Sequence, residues 1–139
     1  MSNWSAPQTL AIPAGKLVVF CATHQAQFTQ QVQIIDAQGM PITFHTFDGQ
    51  SHTFPITGEG TSVNLFANGN GKFTMQAGYQ IQFKNSGSQT SLVAASTVEF
   101  DLNGIVYGGG TLFATDDQGG SEPDYNDTSL SLQWFNTQG

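Results

Sequence analysis

The sequence predicts an all-β fold, an antiparallel β-sandwich of about nine or ten short strands. Three observations carry this reading. Apolar and polar residues alternate one by one in short runs, as where Tyr79, Ile81 and Phe83 are interleaved with Gln80, Gln82 and Lys84. Turn signals recur about every eight to twelve residues, the spacing of a sandwich. No stretch joins a helical apolar period to helix caps. The chain has 139 residues, enough for one domain with a sizeable core. No repeat, low-complexity tract or linker divides it. Residues 1–8 read as a tail and residues 9–139 as a single domain.

Taken in order, residues 9–12 form a short strand that ends at Pro13, Ala14 and Gly15. Residues 16–21, Lys-Leu-Val-Val-Phe-Cys, are β-branched and aromatic and form a second. Cys21 is the single cysteine, makes no internal disulfide, and is expected as a small buried hydrophobe. The polar run 23–28 is expected as a loop. Val32 and Ile34 flank Gln33 in the next strand, which turns at 36–39. Residues 40–61 suggest two strands around Asp48-Gly49, one with Ile42, Phe44 and Phe47 and one with His52, Phe54 and Ile56. The run 57–60 is expected to break the chain.

Val63 and Leu65 precede the turn signal Asn68-Gly-Asn-Gly71, and Phe73 and Met75 follow it. Residues 79–84 alternate and 85–88 turn. Val98, Phe100 and Leu102 alternate with Glu99 and Asp101, and Asn103-Gly104 is a tight hairpin signal. Residues 105–107 and 111–114 surround a glycine triplet. In residues 128–135, Leu130, Leu132 and Trp134 share one face, and Ser129, Ser131 and Gln133 the other.

Charge excludes several partner classes. Lys16, Lys72 and Lys84 are the only Lys or Arg residues, against ten acids, and the net charge is −7. A phosphate-binding face needs several cations, so no nucleic acid partner is expected. An anionic membrane surface is disfavoured for the same reason, and no apolar run reaches the length of a membrane span. The first residues lack the regions of a signal peptide. The expectation is cytoplasmic synthesis, with any release or surface display by a non-classical route. His24, His45 and His52 are scattered without ligand spacing and read as ordinary histidines. Phe28, Phe44, Phe47, Phe54 and Trp134 read as core rather than as exposed stacking platforms for a ligand.

Residues 116–127, Asp-Asp-Gln-Gly-Gly-Ser-Glu-Pro-Asp-Tyr-Asn-Asp, hold five of the ten acids. Like charges packed so densely repel, and burial raises their pKa values unless a cation intervenes. Carboxylate and amide oxygens are the ligands of a hard ion, Ca²⁺ before Mg²⁺. The strand at 128–135 pins the loop, which a metal site needs for fixed geometry. A solvated acidic turn is the alternative. Mixed carboxylates and amides with interposed Gly and Pro favour the metal.

The segment Ser121-Glu-Pro-Asp-Tyr-Asn-Asp127, the alternating strand to Trp134 and the final Gly139 resemble the calcium-mediated fucose/mannose-binding bacterial lectins (LecB-type). The opening Leu10-Ala-Ile-Pro-Ala-Gly15, a hydrophobic strand, a polar loop and Gln31-Val-Gln-Ile34 resemble that family's start. The likeness spans residues 8–36 and 111–139; the middle matches only as β pattern. It implies a β-sandwich with two adjacent Ca²⁺ ions that coordinate hydroxyls of a fucose- or mannose-type mono- or oligosaccharide.

The implied ligands are Asp124 and Asp127 bridging both ions, Asn126 on the inner ion, and Glu122 with an earlier acid on the outer. That earlier acid is Asp117, with Asp116 its rival, because the loop is one residue longer than the family's. Thr23 stands where the family has an Asn ligand. The family also lends a C-terminal glycine carboxylate to a neighbouring subunit, which implies Gly139 here, although the ending after Trp134 is about two residues longer. His24 and Gln25 fall in the sugar-selecting loop. A homodimer or homotetramer is implied.

Two other classes compete. A glycoside hydrolase would use two of Asp116, Asp117 and Glu122 as acid and base. A general acid needs a raised pKa, whereas ligands crowded round Ca²⁺ are held ionised, so no enzyme is expected. A calcium-braced adhesion or assembly module without a sugar site is the other alternative.

Overall fold

Alternating burial marks the core strands, as over Gln80–Asn85 and Thr128–Phe135, with no helix among the described residues. The computed structural model describes residues 2–24, 26, 28–47, 58–60, 64–66, 70–121 and 123–137. The strands are β1 (Gln8–Thr9), β2 (Leu17–His24), β3 (Gln30–Ile35), β4 (Pro41–Phe47), β5 (Gly58–Gly60), β6 (Asn64–Phe66), β7 (Asn70–Thr74), β8 (Gln80–Asn85), β9 (Leu92–Leu102), β10 (Ile105–Asp116) and β11 (Thr128–Phe135). One sheet has the order β1-β8-β3-β4-β5, the other β6-β7-β2-β11-β10-β9. Every pairing is antiparallel.

The two inner faces make the core. The first sheet supplies Val32, Ile34, Ile81 and Phe83, and the second Val18, Phe20, Ala22, Phe73, Phe113, Leu130, Leu132 and Trp134. Phe83 and Phe113 meet across the layers with ring centroids 5.8 Å apart. Each large apolar side chain so buried contributes about 1.5–3 kcal/mol. The sandwich is the predicted one, with eleven strands among the described residues because three are only two or three residues long.

Several elements differ from expectation. β1 stops at Thr9, and Leu10 and Ile12 enter the core as irregular chain. β2 continues through Thr23 and His24, where a loop was expected, because its ladder with β11 runs on to Ser129 and Thr128. Gly58–Gly60 pairs with β4 instead of breaking the chain. The run Gly-Glu-Gly has no apolar alternation, so the sequence pattern gave no sign of that ladder. Cys21 is exposed, not buried. Val18, Phe20 and Ala22 point inward, so Cys21 takes the outward parity.

β10 is one strand through the glycine triplet. A Cβ on Gly109 would stand 2.7 Å from Trp134 Nε1 and 2.8 Å from the Val98 carbonyl, so only glycine admits this approach. The β9–β10 turn has φ of 54° at Asn103 and 79° at Gly104, both left-handed as the expected tight hairpin turn requires. Val98, Phe100, Leu112 and Phe135 stay exposed on the outer face of the second sheet. The expected strand with His52, Phe54 and Ile56, the turn at Asp48-Gly49, and the side chains of Phe44, Phe47 and the three histidines lie outside the described residues.

Candidate metal and sugar site

The acidic stretch joins β10 to β11, and the ladder between those strands closes its neck. Thr115 pairs with Thr128, so Asp116 and Asp127 emerge opposite each other. The Asp127 N–H donates to the Thr115 carbonyl at 3.1 Å, and the Thr128 N–H to Thr115 Oγ1 at 3.0 Å. The Asp117 N–H donates to Asp127 Oδ2 at 2.7 Å. One oxygen each from Asp116, Asp117 and Asp127 lie within 4.8 Å of one another. All three side chains are buried, at 5–7 % exposure.

This arrangement is unfavourable for the protein alone. Burial pushes the Asp127 carboxyl up from 3.8 to about 7. The Asp117 N–H bond opposes that rise, and the nearby Asp117, Asp124 and Asp116 carboxylates add to it. A divalent cation would reverse this balance. A second observation points the same way. Asn126 Oδ1 is buried and has no hydrogen-bond partner among the described residues. An orphaned buried acceptor costs about 1–3 kcal/mol. Carboxylate and amide oxygens together fit calcium's preference for oxygen ligands.

The loop is also built to hold a shape. Asp117 Oδ1 accepts the Gly119 N–H at 2.9 Å, and Gln118 Nε2 donates to the Thr90 carbonyl at 2.7 Å. Gln118 and Tyr125 are left-handed, with φ of 60° and 51°. Non-glycine residues there cost on the order of 1–3 kcal/mol and persist only where surroundings impose them. Phe28 is half-buried, with its ring between Gly87 and Gly119, where a Cβ would meet it at 2.6 and 2.7 Å. It supports the acidic bend rather than joining the central core.

The residues singled out in the sequence are distributed as follows. Asp117, its rival Asp116, and Asp127 converge. Asp124 is exposed yet close enough to act on the Asp127 charge. Half-buried Thr23 pairs with Ser129, and His24 with Thr128, immediately after Asp127. Glu122, Gln25 and Gly139 lie outside the described residues. Gln30 was missed. Its side chain is 1 % exposed, and Nε2 donates to Asp117 Oδ2 at 2.9 Å. Its parity with Val32 and Ile34 was the available signal, since it places Gln30 on the inward face.

Residues 10–136 match the sequence pattern of the fucose-binding lectin II (PA-IIL) family. The chain belongs to that family. Solved structures agree at the level of fold. The C-terminal domain of the BC2L-C lectin from Burkholderia cenocepacia superposes with a TM-score of 0.63 at 18% identity, over 88% of this chain and 90% of that one. The Chromobacterium violaceum lectin CV2L, solved with alpha-methyl-fucoside, gives 0.60 at 19% identity, over 88% and 91%. The Ralstonia solanacearum high-affinity mannose-binding lectin gives 0.61 at 20% identity, over 88% and 91%. Direct comparison with curated protein sequences finds no match.

Proposed function

We propose that the protein is a non-enzymatic, calcium-dependent lectin that binds a fucose- or mannose-type saccharide through two adjacent Ca²⁺ ions in the β10–β11 bend. The observation that carries this is Asn126 Oδ1, buried and without a partner among the described residues, next in the chain to Asp127, one of three buried carboxylates that crowd together, in a chain of the fucose-binding lectin II family. The named CV2L and Ralstonia relatives, which bind a fucoside and mannose, support the sugar class.

In this reading Asp124 and Asp127 would contribute to holding both ions, Asn126 and Thr23 would hold the inner one, and Glu122 and Asp117 the outer one. Asp116 also faces the cluster, so the rivalry between it and Asp117 stands in the folded protein as in the sequence. Asp117, Glu122, Asp124 and Asp127 would balance the four positive charges of two Ca²⁺. Calcium, when bound, supplies coordination positions that accept sugar hydroxyls in place of water. His24 and Gln25 would flank the sugar, and Gly139 of a neighbouring subunit would complete the site. The exposed Val98, Phe100, Leu112 and Phe135 supply an apolar face for a homodimer or homotetramer. Assembly multiplies weak monosaccharide binding into avidity.

Thermal unfolding with calcium and methyl glycosides tests the proposal. A lectin is stabilised by Ca²⁺, then further by a fucoside or mannoside only when Ca²⁺ is present. Asp124→Ala or Asp127→Ala should abolish the second shift and lower stability in calcium. A first shift without a second would favour a calcium-braced adhesion module. Turnover of a chromogenic glycoside would indicate a hydrolase.

A further inference from the structure

The acidic bend belongs to the second sheet, yet a buried side chain of the first sheet reaches into it. Gln30 opens β3 and is 1 % exposed. A buried amide costs free energy unless it is hydrogen-bonded. Gln30 Nε2 donates to Asp117 Oδ2 at 2.9 Å and to the Phe28 carbonyl at 3.2 Å, while Oε1 accepts from Thr128 Oγ1 at 3.4 Å. Both donors are therefore used, and the amide touches the bend at its entry and its exit.

The consequence falls on Asp117. Its Oδ1 is held by the Gly119 N–H of its own loop and its Oδ2 by Gln30 of the opposite sheet. Two donors on two oxygens fix the carboxylate plane while each oxygen keeps a lone pair for a cation. Packing alone does not call for an amide here, since an apolar side chain of the same length would fill the same space.

We propose that Gln30 is a positioning residue for the cation site. It acts through Asp117, setting that carboxylate against Asp116 and Asp127. The inference rests on the calcium reading above.

The test is calorimetric titration of the full chain with CaCl₂, well below the unfolding temperature, beside the unfolding temperature of the same samples in EDTA. Gln30→Met keeps the length and removes both donors. It should weaken calcium binding about 10- to 100-fold, the usual effect of losing a partner of a metal ligand. Val32→Ala, a core truncation on the same strand, should lower the metal-free unfolding temperature yet leave the calcium Kd within about threefold of wild type. If Gln30→Met does not fold, Gln30→Asn has the same chemistry one methylene shorter and should also weaken binding by at least about tenfold. A Gln30 variant within about threefold of wild type would overturn the proposal. So would equal losses of affinity in the Gln30 and Val32 variants, which would make affinity a mere reflection of stability. No calcium binding by the wild type would remove the metal reading itself, and this inference with it.

Discussion

Asp127→Asn should stabilise the metal-free protein and cripple the calcium-loaded one. Asparagine keeps the shape, and its Oδ1 can still accept the Asp117 N–H that Asp127 now holds at 2.7 Å. It removes one charge from the cluster with Asp116 and Asp117. Without metal, the folded wild type holds the Asp127 proton up to a pKa of about 7, whereas the reference value is 3.8. Between those values the folded state binds more protons than the unfolded state. Stability therefore falls as pH rises from about 4 to about 7 and is highest at the acid end. Three pKa units set a ceiling of about 4 kcal/mol. Local relaxation and water penetration reduce this to on the order of 1–2 kcal/mol.

At pH 8 in EDTA the Asp127→Asn variant should therefore unfold about 3–8 °C above wild type, with the gap closing near pH 4. Calcium should invert the order. Wild type gains about 2.7 kcal/mol at a free calcium concentration 100 times Kd, and the variant gains little. Scanning calorimetry at pH 4, 6 and 8 with EDTA, and at pH 8 with calcium, reads all of this. A variant less stable than wild type in EDTA at pH 8 would mean that the Asp127 charge does not destabilise the metal-free fold, and one equally stabilised by calcium would mean that Asp127 is not a calcium ligand.

Other substitutions probe separate links. Asn126→Ala removes a buried Oδ1 that has no partner among the described residues, so it should leave metal-free unfolding within about 1 kcal/mol of wild type, while calorimetry should show at least about tenfold weaker calcium binding. Gly109→Ala forces a methyl against Trp134 Nε1 and should cost about 1–3 kcal/mol in a urea titration. Leu132→Ala, at 1 % exposure in the core, should cost about 2–5 kcal/mol by the same assay. Cys21 should react with a thiol reagent in the native protein without denaturant; a lag matching global unfolding would contradict its outward orientation.

Legibility in the sequence followed side-chain contrast. The last strand was plain because Leu130, Leu132 and Trp134 alternate with polar residues and bury one face. Thr23, His24 and Gly58–Gly60 were not, because uniformly polar or glycine-rich chain shows no alternation while its backbone still completes a ladder. Cys21 was misread by residue type when its parity within β2 was the better guide. Charge density alone located the acidic bend. Its inner geometry depended on features without a local signature, the Thr115–Thr128 neck and the left-handed Gln118 and Tyr125, and on Gln30, whose inward parity was legible but whose partner lies 87 positions away in the chain. Asp116 and Asp117 are adjacent and identical in type, so only the folded bend could show that both face Asp127.

The proposed sugar binding depends on two calcium ions in the β10–β11 bend with coordination left open to a sugar. A crystal grown with millimolar calcium and a methyl fucoside or mannoside, with anomalous scattering to mark the metals, would reveal them. Two neighbouring metal peaks are expected among the oxygens of Asp124, Asn126 and Asp127, with sugar hydroxyls in their shells. A bend without metal peaks, or ions wholly enclosed by protein oxygens, would contradict it.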